Sequence, residues 1–265
     1  MPLLDFLKRR RRARLRASPC PAGWRRIIEG NIAMFGRLSA ADQQELLGHT
    51  QVLIAEKHFE GCGGLELTDE MRVTIAAQAS VLLLHRDTDY FPQLTSILVY
   101  PSTYVVPTER SIGAHVLQER EEALLGHTAM NLGVVVLAWD DALRGARIAD
   151  NGENLVLHEF AHQLDNDDYA ADGTPPLDSD LSRSWSRVLT PEYDALRRAK
   201  ESGTPTLINQ YGATNPAEFF AVVTELFFER PSEFRDAHAA LYDILRSFYR
   251  QDPAAWPGGR SGSAT

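Results

Sequence analysis

The sequence predicts an α+β fold, in which a small β-sheet sits among helices and one helix carries an H-E-x-x-H pattern. Three observations predict it. Apolar residues recur at three- and four-residue steps from Trp24 to about Leu84, the period of amphipathic helices. Between Ser96 and Trp139 the pattern changes to short runs such as Ile97-Leu-Val-Tyr and Val134-Val-Val-Leu-Ala, broken by proline, glycine and charged loops, which reads as strands. Around His158-Glu-Phe-Ala-His162 the helical period returns and continues to about Arg250.

With 265 residues, 44% hydrophobic and 24% charged, the chain can bury a sizeable core as one large domain or two small ones. A net charge of −9 argues against direct nucleic-acid binding by the body. The two cysteines, Cys20 and Cys62, lie outside any C-x-x-C pair, which points to a reducing compartment and against cysteine zinc ligands. No apolar run approaches the ~18 residues of a membrane span, and no apolar signal segment follows the basic N-terminus, so a cytoplasmic location is expected.

In chain order, residues 1–18 read as a basic flexible tail, with Leu3, Leu4, Phe6 and Leu7 ahead of seven basic residues. A frayed, solvated terminus is the plain reading, and a membrane-surface or nucleic-acid anchor the sharper one. Residues 19–95 form a mainly helical N-terminal part. Ile27, Ile28, Ile32, Met34 and Phe35 mark its first helix, Ser39 opens a second, Gly61–Gly64 turns the chain, and Thr68 with Met71 starts the apolar helix through Val73–Leu84. His85 then reads as a favourable charge at a helix C-terminus.

Residues 96–250 hold the sheet and the motif helix. Strands are expected at Ile97–Tyr100, Tyr104–Pro107 and Val134–Trp139. The segment 118–128, near His115 and carrying His127, fits a helical turn or a hairpin arm. After the motif helix come a loop over Asn166–Asp180, two short helices over Leu181–Leu189 and Pro191–Lys200, a long helix from Pro216 to Arg230, and a last one over Pro231–Arg250. Residues 251–265 read as a flexible C-terminal tail.

The motif matters only on a helix, because only there do residues four apart share a face. With His158 at 0°, His162 falls at about 40° and Asp165 near −20°, whereas Val156, Leu157, Phe160, Ala161 and Leu164 lie on the far side. Asn151 or Asn154 can cap such a helix. Two imidazoles one turn apart can hold one Zn²⁺, while Glu159, at about 100°, flanks the ion where a general base belongs.

A third protein ligand is needed, and Asp165, Glu218 and Glu225 are the candidates. Asp165 is two turns from His158 and reads as an acceptor orienting an imidazole through its far nitrogen. Glu218 begins a helix so apolar (Phe219, Phe220, Val222, Val223, Leu226, Phe227, Phe228) that it must be buried, where a carboxylate needs a partner. The alternative is a capping box, since Glu218 stands at N3 behind Asn215. Glu225 is a fallback ligand or second acceptor. Tyr211 can supply a phenolic donor to a developing oxyanion, or simply pack.

The run His158-Glu-Phe-Ala-His-Gln-Leu-Asp, with Tyr211 and Asn215-Pro-Ala-Glu-Phe-Phe-Ala, resembles the Mlc titration factor A family of bacterial zinc peptidases, whose catalytic part is similar to that of anthrax lethal factor. The resemblance implies a zincin-like fold with His158, His162 and Glu218 as zinc ligands, Glu159 as base and Tyr211 assisting the transition state on a peptide or protein substrate. It also implies binding to the glucose repressor Mlc. The rival expectation is a non-catalytic regulator that sequesters a transcriptional repressor around a structural or vestigial zinc site.

Overall fold

The computed structural model describes residues 2–102 and 133–257. The strand expected at Tyr104–Pro107 and the segment 118–128, with His115 and His127, lie outside the described residues. The fold is mostly helical with a small sheet, consistent with α+β.

The sheet has three parallel strands in the order β1 (His58–Gly61), β2 (Ser96–Tyr100) and β3 (Val134–Ala138). The register pairs Phe59 with Ile97 and Ile97 with Val135. On β2 and β3, Ile97, Val99, Val135 and Leu137 are buried at alternate positions, as the two-residue period of a strand requires. β1 was not expected from its sequence, because His-Phe-Glu-Gly lacks a β-branched run and becomes a strand only by pairing along β2.

Helices make up most of the rest of the described fold. The first four are α1 (Pro2–Ala17), α2 (Ala22–Asn31), α3 (Ala40–Glu56) and α4 (Asp69–Val81). Ser39 and Thr68 cap α3 and α4 by accepting from the backbone N–H of Asp42 and Met71, as expected. Residues 73–81 of α4 are all buried, the mark of a helix enclosed on every side.

The flexible tail expected at residues 1–18 is instead the helix α1, packed along α3. Its Arg12 is 6% exposed. The guanidinium donates to Glu56 at 2.8 and 3.0 Å and to the Asp89 carbonyl at 2.9 Å, pairs with the Asp89 carboxylate, and lies over the Tyr90 ring. Those partners are 44 and 77 residues away, so local composition does not reveal them.

Helix α5 (Trp139–Arg147) follows β3 directly, then α6 (Leu155–Asp165) carries the motif. The two short helices expected between Leu181 and Lys200 are one, α7 (Ser179–Ser202), which runs through Pro191. Proline deprives the Arg187 carbonyl of its donor, but Pro191 and Arg187 are both exposed, so water can replace the bond. Helix α8 (Pro216–Glu229) is buried from Ala217 to Glu229. The single last helix expected is two, α9 (Pro231–Ala237) and α10 (Ala239–Tyr249), broken at His238, whose Nδ1 lies 2.9 Å from Glu192.

Part of the expected C-terminal tail is also packed. Gln251 is buried and donates to the Val81 carbonyl, and the Tyr242 hydroxyl joins Asp252 to the Ala254 amide. One buried apolar cluster includes residues from Ile28 to Tyr249. Among the described residues, no helix is long and apolar enough to cross a membrane.

Candidate metal centre

Helix α6 begins at Asn154, whose side chain accepts from the Leu157 N–H at 3.1 Å and donates to the Gly145 carbonyl and to Glu229. Its apolar face (Val156, Leu157, Phe160, Ala161, Leu164) is buried, and Phe160 meets Phe91 edge to face. That burial fixes the rotation of the helix and turns His158 and His162 towards α8. Across the gap, Pro216 opens α8 and Asn215 caps it by accepting from the Glu218 N–H at 2.9 Å.

Three atoms converge between the two helices. His158 Nε2 is 3.0 Å from Glu218 Oε2, His162 Nε2 is 3.4 Å from the same oxygen, and the two imidazole nitrogens are 3.2 Å apart. In a tetrahedral zinc site with bonds of about 2.1 Å, neighbouring ligand atoms stand about 3.4 Å apart. The Glu218 carboxylate therefore points at the histidines, and Asn215 alone makes the cap, so the capping-box alternative is not adopted.

The far nitrogen of His158 supports the same reading. His158 Nδ1 lies 2.7 Å from Glu225 Oε1, and Glu225 Oε2 accepts from the Asn154 N–H at 2.5 Å. A carboxylate oxygen only accepts, so Nδ1 carries the proton and Nε2 turns a lone pair towards the Glu218 oxygen. Two acceptors at 3.0 Å require positive charge between them, a proton or a cation. Burial alone would lower the His158 pKa, but the charge of Glu225 and the hydrogen bonds to Glu218 and Glu225 raise it well above the usual imidazole value. Burial likewise pushes Glu218 up, yet its bonds to both histidines bring it below the ordinary carboxylate range. The donor set fits a divalent metal.

Asp165 does not take the orienting role expected of it. It is fully buried, and its Oδ2 accepts from the Gly173 N–H at 2.8 Å, while His162 Nδ1 has no hydrogen-bond partner among the described residues. Gly173 has φ +83°, and a Cβ there would meet the Pro216 carbonyl at 2.4 Å, so only glycine lets this loop close over the start of α8. Asp165 thus ties the end of α6 to the start of α8. Glu225 orients the imidazole instead.

Glu159 is half-buried beside the histidines and its carboxylate has no hydrogen-bond partner among the described residues. Burial raises its pKa more than the two imidazoles lower it, which strengthens it as a base. Tyr211 lies in a 3-10 turn, Gln210–Ala213, held by the Asn209 side chain, with its ring centroid 6.0 Å from that of His158. A second grouping, Asp42, Glu45 and His85, is half-exposed, and its donor atoms already pair with one another and with His49.

The network of Asn154, Glu225 and Glu229 went largely unread in the sequence, although Glu218, Glu225 and Glu229 are seven and four residues apart and share one stripe of an otherwise apolar helix. Replacing Glu225 with Gln is expected to weaken metal binding by about 10- to 100-fold through the misoriented His158, as measured by competition with a chelating indicator. An unchanged affinity would assign Glu225 to helix packing alone.

Glu229 is 2% exposed. Burial pushes its carboxyl up to about 9, with the Asn154 bond opposing and the charge of Glu225 adding. Asp165 and Asp167, also raised by burial, lie at about 6 and about 7. A carboxyl with a raised folded pKa binds more protons folded than unfolded. Its contribution to stability is therefore complete below the unfolded carboxylate range and is lost as pH rises through the folded pKa. Urea melts of metal-free protein should lose stability from about pH 5 to about pH 9. Glu229→Gln keeps an oxygen for Asn154 and should flatten the alkaline half of that curve. An unaltered slope would contradict the assignment.

A family model described as glucose-regulated metallo-peptidase M90 matches residues 6–250. The chain is 38% identical over 237 residues to an uncharacterized protein of Synechocystis sp., across 89% of this chain and 86% of the relative. It is 28% identical over 237 residues to the proteins named Mlc titration factor A in Yersinia pestis and Yersinia pseudotuberculosis, across 88% of this chain and 86% of theirs.

Proposed function

Because the chain belongs to the glucose-regulated metallo-peptidase M90 family, we propose that it is a zinc-dependent peptidase of zincin-like fold, with residues 96–250 as its catalytic part and 19–95 as helical support. His158, His162 and Glu218 hold the ion, and Glu159 and Tyr211 act on the substrate. The convergence of three donor atoms within 3.0–3.4 Å, beside a carboxylate with no hydrogen-bond partner among the described residues, carries this reading.

When bound, zinc supplies Lewis acidity that brings a water's pKa towards about 7 and polarises a carbonyl. Glu159, with no competing hydrogen bond among the described residues, takes a proton from the attacking water and returns it to the departing amine. Tyr211 donates its phenolic hydrogen to the carbonyl oxygen as charge develops there. Glu225 keeps the His158 lone pair aimed at the centre. Among the described residues three protein donors would hold the ion, the number usual in catalytic zinc sites.

The reading predicts about one zinc per chain by elemental analysis, with peptide hydrolysis lost on chelation and restored by zinc. Hydrolysis by demonstrably metal-free protein would overturn it. The name Mlc titration factor A, printed for the Yersinia relatives, supports a second reading: a cytoplasmic regulator that binds Mlc or a similar repressor. A protein that binds such a repressor but hydrolyses no peptide when zinc-loaded would favour that reading.

A further inference from the structure

Helix α1 carries seven basic residues and one acid, a local charge of +6 on a chain of net charge −9. The body decides which face of this helix is free. Arg12 is sunk between Glu56, Asp89 and Tyr90, Lys8 and Arg11 pair with Asp89 and Glu56, and Gly48 on α3 approaches so closely that a Cβ there would meet the Arg16 backbone at 3.2 Å. With Arg12 at 0°, Phe6, Arg10, Arg14 and Leu7 lie at about 120°, 160°, 200° and 220°, pointing away from the body, with Leu4 at the edge near 280°.

This outward face combines two unsatisfied chemistries. Leu4, Phe6 and Leu7 are 61%, 58% and 50% exposed, three of the six exposed large hydrophobic residues among the described ones. On this face Arg10 and Arg14 are exposed without an ion-pair partner among the described residues. Phosphate esters satisfy the guanidiniums, and only a partner with an apolar layer just below its phosphates also takes up the leucines and phenylalanine. Nucleic acid would leave those apolar groups in water. We propose that the outward face of α1 binds the surface of an anionic lipid bilayer, lying in the headgroup plane and holding the acidic body at the membrane. The helix lies on the bilayer and does not cross it, since 16 residues with seven bases cannot span the hydrocarbon.

Cosedimentation of the full chain tests this, using vesicles of phosphatidylcholine alone and with about one quarter phosphatidylglycerol, at about 0.1 M salt. Anionic vesicles should bind at least tenfold more protein. One arginine near such a surface contributes a factor of about five, so Arg10→Glu with Arg14→Glu should lower binding more than about 25-fold. Serine at Leu4, Phe6 and Leu7 should also weaken it, including at high salt. All five positions lie off the Arg12 contacts, and unchanged thermal melting confirms that either variant is folded. Failure to sediment with anionic vesicles overturns the proposal. So does oligonucleotide binding that exceeds vesicle binding and is indifferent to the serine changes, or a dimer lost on those changes in protein that ignores vesicles.

Discussion

Replacing Glu159 with Gln is expected to lower kcat on peptide substrates by about 10²- to 10⁴-fold, the usual contribution of a general base, while leaving zinc content near one per chain. The geometry separates the two effects. The three converging atoms belong to His158, His162 and Glu218, and the Glu159 carboxylate bonds to none of them. Gln keeps the volume and removes the proton acceptor. It also removes a carboxylate that burial has made costly to ionise, so thermal stability should stay level or rise. Paired measurements of kcat, metal content and melting read this out. Full activity in the Gln protein would exclude Glu159 as the base, and lost metal would make it a ligand.

Glu218→Ala carries the second large effect, a fall in zinc affinity expected to exceed the roughly 100-fold reached when only an outer partner is removed, with activity falling alongside. Oε2 lies 3.0 Å from the His158 Nε2 and 3.4 Å from the His162 Nε2, so both imidazoles share it. Without it their nitrogens still face each other at 3.2 Å but lack the negative charge that completes the site. The helix should survive, because the Asn215 cap bonds to the backbone N–H at position 218 and alanine provides the same donor. Metal titration and urea melting of the metal-free protein separate the roles. Loss of stability with zinc affinity intact would make Glu218 a capping residue.

Much of the centre was legible in the sequence because helical spacing is local arithmetic. His158 and His162 share a face, their apolar neighbours occupy the other, and Asn215 and either Asn151 or Asn154 stand where N-caps belong; the structure shows the face and the Asn215 cap, and of the two candidates at the motif helix it selects Asn154. Ser39 and Thr68 were readable for the same reason. Four capped starts and two strands on β-branched runs require nothing beyond a few neighbouring residues.

Tertiary structure alone decided the rest. The sequence determined that His158 and His162 form a pair, that Glu159 flanks them, and that Glu218 and Glu225 lie on one stripe of a buried helix. It left open which carboxylate meets which imidazole, and the packing of α6 against α8 answers that: Glu218 reaches both Nε2 atoms, Glu225 takes His158 Nδ1, and Asp165 turns to Gly173. Likewise, seven basic residues within nine positions read as a solvated tail until Glu56 and Asp89, distant in the chain, enclose Arg12. Periodicity is set by the backbone over one or two turns. A hydrogen bond between residues 60 or more apart depends on every packing choice between them, and no local pattern encodes it.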